Sequence, residues 1–312
     1  MYLLMIDYIE NLILNYKIPE TPIKLDIVIE GGALNGYYAL GCLKLIRGLE
    51  KKGYFKVERF SGASVGCLLG SLYLLNKLEI FTDLYEELKK NYVLDCNFKY
   101  VKDTIIKIID NLKDEEFEIV KENKLYITYF DMDNKTQIVK NNYSTRDELK
   151  NTILSSIHIP YLIDGNEYHS IENNYFLDGM YPHLFKERES NKKILYISII
   201  NPFDFNSIKD MIFTKNEKNM SRRIISGVLD CHNFILLNKK TKLCSYLDEW
   251  SSYDRMTYRM KQFYFVYLVV IYLTIKWLIK KIRPKLLEYN IYYKLECLFI
   301  EICKDILICN NT

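Results

Sequence analysis

The chain has 312 residues, of which 49% are apolar, so it is long enough to bury a large core in one or two domains. Its 43 basic and 40 acidic side chains are spread along the sequence and leave a formal charge of only +3. No nucleic-acid partner is therefore predicted, because such proteins carry a dense basic stripe. The eight cysteines include no CxxC pair, which predicts reduced, buried thiols in a cytoplasmic compartment and no zinc ribbon.

The first predicted element is an N-terminal helix within residues 1–22. Apolar residues recur at helical spacing from Leu3 to Tyr16, and Pro19 and Pro22 end the pattern. The segment has no basic start and no small-residue cleavage site, so it is not predicted to be a signal peptide.

A short apolar strand follows at 25–29, and it leads into a glycine loop from Gly31 to Gly36 and then a helix to Lys51. A glycine loop between a strand and a helix is a typical anion site, because the first N–H groups of the helix are unpaired. The glycine spacing is not that of a dinucleotide fingerprint, and no acidic residue follows at the required distance, so a dinucleotide site is not favoured.

The next strand ends in the pattern Gly62-x-Ser64-x-Gly66, which leads into another helix. A sharp strand-to-helix turn needs both glycines, because a side chain at either would collide with nearby backbone. Such a turn exposes the serine hydroxyl as a nucleophile. The pattern alone also fits a serine that only caps a helix in a tight turn.

The rest of the first two thirds alternates helices and strands. Helical periodicity covers 82–122, a hairpin is predicted at 125–139, and Thr145 and Glu148 form a capping box for a helix to residue 156. Apolar strands follow at 175–178 and 194–200, the first of them ending in Asp178. This order predicts a three-layer α/β fold, with a mostly parallel sheet flanked by helices.

Four blocks resemble the patatin-like phospholipases over roughly residues 24–205. They are the glycine loop 31–36, the turn 62–66, the helix-then-proline segment 153–161 and Asp178-Gly179. The resemblance implies a patatin-like catalytic domain at 23–205 and a serine–aspartate dyad. In that dyad Asp178 takes the proton of Ser64, which then forms an acyl-enzyme from a phospholipid or a related acyl lipid.

The resemblance also implies an oxyanion hole formed by the backbone N–H groups of Gly31, Gly32 and Ala33. It implies no metal and no other cofactor. The substrate is expected to be an acyl lipid, and nothing in the sequence identifies a protein partner.

The chain departs from the family pattern at three positions. Ala33 stands where a third glycine is usual, Asn35 replaces a basic residue, and Met180 replaces a second glycine. Alanine disfavours a positive φ, so the hole is expected to be reshaped, and a missing cation weakens anion stabilisation. Two alternatives stay open. One is a catalytically weakened lipid- or membrane-binding protein, and the other is an α/β-hydrolase esterase with a Ser-Asp-His triad that uses His232 or His183.

Residues 206–312 are predicted to form a helical C-terminal region. Residues 263–279 are almost entirely apolar, and three interpretations stay open: a buried packing helix, a membrane-contacting helix at the interface, or a membrane span. If the helix contacts the membrane at the interface, the protein is cytoplasmic and is peripheral or anchored at a membrane surface. Pro284 is predicted to end this helix. The flanking basic residues are Arg255, Arg259, Lys261, Lys280, Lys281, Arg283 and Lys285.

Overall fold

The computed structural model describes residues 2–95, 97–186, 192–201, 204–211 and 220–286. Its centre is an eight-stranded mixed sheet with strand order β5-β6-β3-β2-β1-β7-β8, and β4 also pairs with β3. The strands are β1 (Ile23–Ile29), β2 (Phe55–Ala63), β3 (Glu122–Asp131), β4 (Thr136–Asn142), β5 (His169–Ile171), β6 (Asn174–Asp178), β7 (Lys192–Ile197) and β8 (Cys244–Tyr246).

The four central strands β3, β2, β1 and β7 run parallel, and antiparallel strands extend the sheet on both sides. The predicted α/β fold with a mostly parallel central sheet is therefore confirmed. Strand β8 is a difference, because it lies in the region that was predicted to be helical. A three-residue strand is too short to show a periodic pattern in the sequence.

Helices flank this sheet. They are α1 (Tyr2–Leu14), α2 (Gly36–Lys51), α3 (Val65–Leu74), α4 (Leu78–Asp95), α5 (Lys99–Asp110), α6 (Asp114–Lys121), α7 (Arg146–Ser156), α8 (Phe205–Asp210), α9 (Ser221–Leu237) and α10 (Ser252–Leu286). The predicted N-cap starts α7, because Thr145 Oγ1 accepts the N–H of Glu148 at 3.1 Å. The predicted capping box is only half formed, since the Glu148 carboxylate accepts the N–H of Ser144 at 2.6 Å and not that of Thr145.

Strand β1 is buried on both of its faces, as expected for a central parallel strand. Leu25, Ile27 and Ile29 pack in a large cluster with α2 and α3, whereas Val28 packs in a smaller cluster with Tyr258 of α10. The glycine loop and the turn at Ser64 follow β1 and β2 directly. Both loops therefore lie at the carboxyl ends of neighbouring parallel strands, where α/β proteins place their sites.

Helices α2 and α9 cross in backbone contact. A Cβ atom on Gly41 would lie 2.0 Å from the carbonyl oxygen of Ile224, and one on Gly227 would lie 1.9 Å from the carbonyl oxygen of Tyr38. Any side chain at either position would force the two helices apart. The crossing therefore ties the C-terminal part of the chain to the helix that follows the glycine loop.

Helix α10 exposes apolar side chains. Phe263 is 68% exposed, Tyr267 61% and Val270 52%, so these three side chains do not support the interpretation of 263–279 as a buried packing helix. The helix runs through Pro284 to Leu286, so the prediction that Pro284 ends it is wrong. The predicted continuation of the helical region to residue 312 lies outside the described residues.

Within the described parts of the chain, no helix combines the length and the apolarity needed to cross a membrane. Helix α10 lies within these parts, so the interpretation of residues 263–279 as a membrane span is not supported.

Candidate active site

Three segments that are distant in the sequence meet at Gly31. A Cβ atom built on this residue would lie 3.0 Å from the Cβ of Ser64 and 3.0 Å from the carbonyl oxygen of Met180. The structure thus brings together the glycine loop, the turn after β2 and the residues that follow β6. Glycine at position 31 leaves the space that this close approach needs.

Ser64 occupies a strained turn between β2 and α3. Its φ of 53° and ψ of −131° are rare for a residue with a side chain. The two neighbouring glycines permit the turn, because a Cβ on Gly62 would lie 2.4 Å from the backbone N of Cys67, and one on Gly66 would lie 2.4 Å from the carbonyl oxygen of Ile29. Strain of this kind is often found at functional sites, where the surrounding structure maintains it.

Asp178 lies at the end of β6 and its side chain is buried. Its backbone N–H donates to the carbonyl of His158 at 2.9 Å, and its carboxylate accepts the N–H of Met180 at 2.7 Å. The hydroxyl of Ser64 lies near enough to this carboxyl group to lower its pKa, against the larger effect of burial. The two side chains are therefore neighbours in the folded chain.

Burial raises the pKa of Asp178 from 3.8 to about 7. The cause is the loss of water around the carboxylate, and the hydrogen bonds from Ser64 and Met180 oppose it only in part. A carboxyl group with a pKa near neutrality can take up and release a proton at physiological pH. An ordinary surface aspartate is too weak a base for that task.

Ser156, at the end of α7, holds the turn at Ser64 in place. Its Oγ accepts the backbone N–H of Ser64 at 3.0 Å, and its hydroxyl donates to the carbonyl of Thr128 on β3 at 2.7 Å. Gly179 packs against the same carbonyl, since a Cβ there would lie 2.3 Å from the Thr128 oxygen. Sequence reasoning identified the segment 153–161 but not this side chain, because its two partners are backbone groups of distant residues.

The N–H groups of the glycine loop are not equivalent. The N–H of Gly31 donates to the carbonyl of Met180 at 3.0 Å, and that of Leu34 donates to the carbonyl of Met211 at 3.1 Å. Among the described residues, the N–H groups of Gly32 and Ala33 have no hydrogen-bond acceptor. Of the three predicted oxyanion donors, Gly31 is thus already paired, and two remain unpaired.

Ala33 and Met180 adopt the conformations for which the family uses glycine. Their φ angles are 44° and 53°, in the left-handed region that costs a residue with a side chain about 1–2 kcal/mol. The backbone path is therefore kept despite both substitutions, at a cost in conformational energy.

Asn35 has a cation beside it, contrary to the expectation from its replacement of a basic residue. Its Oδ1 accepts a hydrogen bond from Nη1 of Arg223 at 3.1 Å, and its Nδ2 donates to the carbonyls of Ile199 and Ser207 at 3.0 and 3.1 Å. Arg223 is buried on α9 and donates also to the carbonyl of Asp210 at 2.6 Å. No motif in the sequence pointed to this arginine, which lies 188 positions away.

The base of the glycine loop is fixed by the buried carboxylate of Glu30. It accepts hydrogen bonds from the hydroxyl of Tyr196, from the hydroxyl of Ser198 at 2.9 Å and from the N–H of Ile199 at 3.1 Å. Lys261 of α10 completes the set with an ion pair at 3.2 Å. The assignment of Lys261 to an exposed basic flank is therefore wrong, because its ammonium group is buried in this network.

Residues 27–181 match the family model described as patatin-like phospholipase. The chain belongs to this family. The match covers the glycine loop, Ser64 and Asp178, which are the segments that the structure brings together. A search of curated proteins finds no match. Membership of the patatin-like phospholipases implies hydrolase activity in general, with lipids as the class of substrate.

A small cavity of ≈ 70 Å³ opens beside Ser64 in this patatin-like structure. Its walls are almost entirely apolar. One end is formed by the glycine loop and Ser64, and the rest by α3, α4, α5 and the segment after α7. The apolar side chains that line it are Ala33, Leu34, Tyr37, Val65, Leu68, Phe81, Leu84, Leu88, Phe98, Val101, Ile157, Ile159 and Ile163.

The two histidines considered for a triad have other partners. The ring of His232, on α9, is hydrogen-bonded to the hydroxyl of Tyr16 at 2.8 Å, and burial lowers its pKa. The ring of His183 stacks on Tyr126, with 5.8 Å between the ring centroids. Asp178, in contrast, lies near enough to the hydroxyl of Ser64 for that hydroxyl to lower its pKa, against the larger effect of burial.

Proposed function

We propose that the protein hydrolyses carboxylic esters of phospholipids or related acyl lipids through an acyl-enzyme on Ser64. The observation that supports this most is the position of the Ser64 side chain beside the buried Asp178 carboxyl group, whose pKa burial raises to about 7. The family supports an acyl lipid as substrate.

The first half-reaction forms the acyl-enzyme. As the Oγ of Ser64 attacks the ester carbonyl carbon, its proton passes to Asp178. The carbonyl oxygen becomes negatively charged in the tetrahedral intermediate, where the N–H groups of Gly32 and Ala33 donate hydrogen bonds to it. When the intermediate collapses, the ester C–O bond breaks and Asp178 returns the proton to the leaving alcohol oxygen.

The second half-reaction repeats these steps with water. Asp178 takes a proton from a water molecule, whose oxygen attacks the acyl carbonyl carbon. Collapse of the second intermediate breaks the bond to Ser64 Oγ, which recovers its proton. The products are a fatty acid and a free Ser64.

The apolar cavity beside Ser64 is the proposed site of the acyl chain. Each methylene group that a hydrocarbon chain buries contributes about 0.8 kcal/mol to the free energy of binding, so the apolar cavity favours an acyl chain over a polar group. Val101 on α5 lines this cavity, and a larger side chain there shortens the space that the chain can use.

The exposed face of α10 is the proposed membrane contact. Met256, Met260, Phe263, Tyr267 and Val270 are all more than half exposed, and at 100° per residue they lie on one side of the helix. Arg255 and Arg259, two turns and one turn before Phe263, are also exposed. Apolar side chains beside basic ones are typical of helices that bind anionic lipid surfaces.

Release of fatty acid from phospholipid vesicles tests the proposed activity. We expect wild-type protein to release fatty acid, and Ser64→Ala and Asp178→Asn to lose this activity while remaining folded. Val101→Trp is expected to shift the preference towards shorter chains, whereas Ile106→Trp on the same helix, outside the cavity, leaves it unchanged. Release by Ser64→Ala at the wild-type rate would contradict the proposal.

Flotation with vesicles tests the membrane contact. We expect Phe263→Ser with Tyr267→Ser to weaken binding to vesicles that contain anionic lipid, and Leu14→Ser, an equally exposed apolar position on α1, to leave it unchanged. Equal binding by all variants would show that α10 is not the contact.

A catalytically weakened lipid-binding protein is the second candidate. It is favoured by the paired N–H of Gly31 and by the positive φ angles of Ala33 and Met180. This candidate predicts binding to vesicles without release of fatty acid. The contacts of His183 and His232 support a Ser-Asp-His triad less well than they support the dyad.

A further inference from the structure

Cys42, Cys231 and Cys244 bring their sulfur atoms together between α2, α9 and β8. All three side chains are fully buried, and the three Sγ atoms lie within 4.8 Å of one another. We propose that this three-thiol cluster is a binding site for one soft, thiophilic metal ion, with Cu⁺ favoured over Zn²⁺. The site is separate from Ser64 and does not depend on the proposed hydrolase activity.

The crossing of α2 and α9 creates the first two ligand positions. Cys42 follows Gly41, and Cys231 lies one turn after Gly227, the two glycines that allow backbone contact between the helices. The Cys42 thiol donates to the carbonyl of Gly227 at 3.3 Å. Helices in backbone contact can place two short side chains within reach of one ion, whereas an ordinary spacing of 8–10 Å between axes separates them further.

The third ligand position is held by hydrogen bonds around Asp230. Its carboxylate accepts the hydroxyl of Thr241 and the N–H of Leu243 at 3.1 Å. Thr241 in turn accepts the N–H of Cys244 at 3.1 Å and donates its own N–H to the Cys244 carbonyl at 2.9 Å. Hydrogen bonds that orient a ligand from behind are a regular feature of metal sites.

The distances fit an all-sulfur site. Metal–sulfur bonds near 2.3 Å place three ligands about 3.8–4.0 Å apart, for tetrahedral or trigonal geometry. The Sγ atoms of Cys42 and Cys244 are 3.9 Å apart, and the Sγ atom of Cys231 lies within 4.8 Å of both. Only a small movement of Cys231 is therefore needed, whereas a disulfide requires two sulfurs to approach to about 2.05 Å.

The ligand chemistry selects the ion. Thiolates favour Cu⁺ and Zn²⁺ among common metals, and structural Zn²⁺ takes four ligands, whereas this cluster supplies three. Each coordinating thiol releases its proton to the solvent.

The test compares metal retention by the full chain, purified reduced and without oxygen, after addition of Cu⁺ or of Zn²⁺ and removal of the excess. We expect Cys231→Ala to retain one Cu⁺ fewer per chain than wild type. Cys67→Ala, which removes a buried thiol outside the cluster, is expected to retain the same amount as wild type. The same loss with Zn²⁺ but not with Cu⁺ would confirm the site and overturn the preference for Cu⁺.

X-ray absorption of the wild-type protein gives a second readout that does not depend on the folding of a variant. We expect three sulfur neighbours at about 2.3 Å from the bound ion. Equal retention by wild type and a folded Cys231→Ala, or fewer than three sulfur neighbours, would overturn the proposal. Because neither readout measures ester hydrolysis, failure here leaves the proposed enzyme activity untouched.

Discussion

Replacing Asp178 by Asn should stabilise the folded protein while it abolishes hydrolysis. Burial raises the pKa of this carboxyl group from 3.8 to about 7, so the folded state binds a proton that the unfolded state has already lost. The free energy of unfolding therefore falls as the pH rises from about 4 through 7. At about 1.4 kcal/mol for each tenfold change, the fall amounts to about 4 kcal/mol.

Asn carries no charge at any of these pH values, so the Asp178→Asn variant does not lose this stability as the pH rises. Its Oδ1 can still accept the N–H of Met180. Relative to wild type, the free energy of unfolding of the variant should increase by about 4 kcal/mol between pH 4 and pH 8. Urea unfolding at both pH values measures this difference. Asp164 is the matched control. Burial raises its pKa, but its ion pair with Lys102 outweighs this effect and lowers the pKa below its usual value. The group therefore titrates below about pH 4, and the stability difference between Asp164→Asn and wild type should change little from pH 4 to pH 8.

The same pKa sets the pH dependence of activity, since Asp178 must be deprotonated to act as the base. With a pKa of about 7, about one tenth of the protein is active at pH 6 and about one hundredth at pH 5. A stability difference between Asp178→Asn and wild type that does not change with pH, or full kcat/KM at pH 5, would refute the raised pKa and the reasoning from burial.

Three further substitutions test the supports of the site. Ser156→Ala leaves two buried backbone groups without a partner, so we expect a loss of about 1–3 kcal/mol in urea unfolding and a ten- to hundredfold lower kcat/KM as the Ser64 turn loosens. Lys261→Met removes the ion-pair partner of the buried Glu30 carboxylate, which should lower the free energy of unfolding by about 3–5 kcal/mol. Adding Glu30→Gln should restore part of that stability. Ala33→Gly removes the strain of a positive φ and should raise the free energy of unfolding by about 0.5–1 kcal/mol.

Each of these expectations has a clear contrary result. Unchanged stability of Ser156→Ala would mean that its two hydrogen bonds are replaced by water. A Lys261→Met variant as stable as wild type would show that the remaining hydrogen bonds are enough to hold the Glu30 carboxylate. A destabilised Ala33→Gly would show that the loop does not carry strain at that position.

The sequence predicted the parts of the fold that repeat a local rule. Three predicted features follow from a periodicity or a spacing, and the structure contains all of them. They are the apolar strand 25–29, the helix after the glycine loop and the N-cap at Thr145. Strand β8 and the course of α10 through Pro284 were not predicted, because a short edge strand has no period and a proline near a helix end can be tolerated.

The candidate site shows the same division. Motif spacing identified Ser64, the glycine loop and Asp178, which all lie in continuous blocks of sequence. Ser156 and Arg223 were missed because each acts through a contact between residues far apart in the chain. Such contacts depend on how the helices pack, and a single sequence carries no record of that packing.

Labelling with a fluorophosphonate, read by intact mass, tests the central claim most directly. Such a probe reacts with a serine hydroxyl only when a neighbouring base activates it. We expect wild type to gain one adduct on Ser64, and Ser64→Ala and Asp178→Asn to gain none. Ser71→Ala, which alters another buried serine on α3, should be labelled like wild type. A folded wild-type protein that stays unlabelled, or an Asp178→Asn variant that labels at the wild-type rate, would contradict the serine–aspartate dyad.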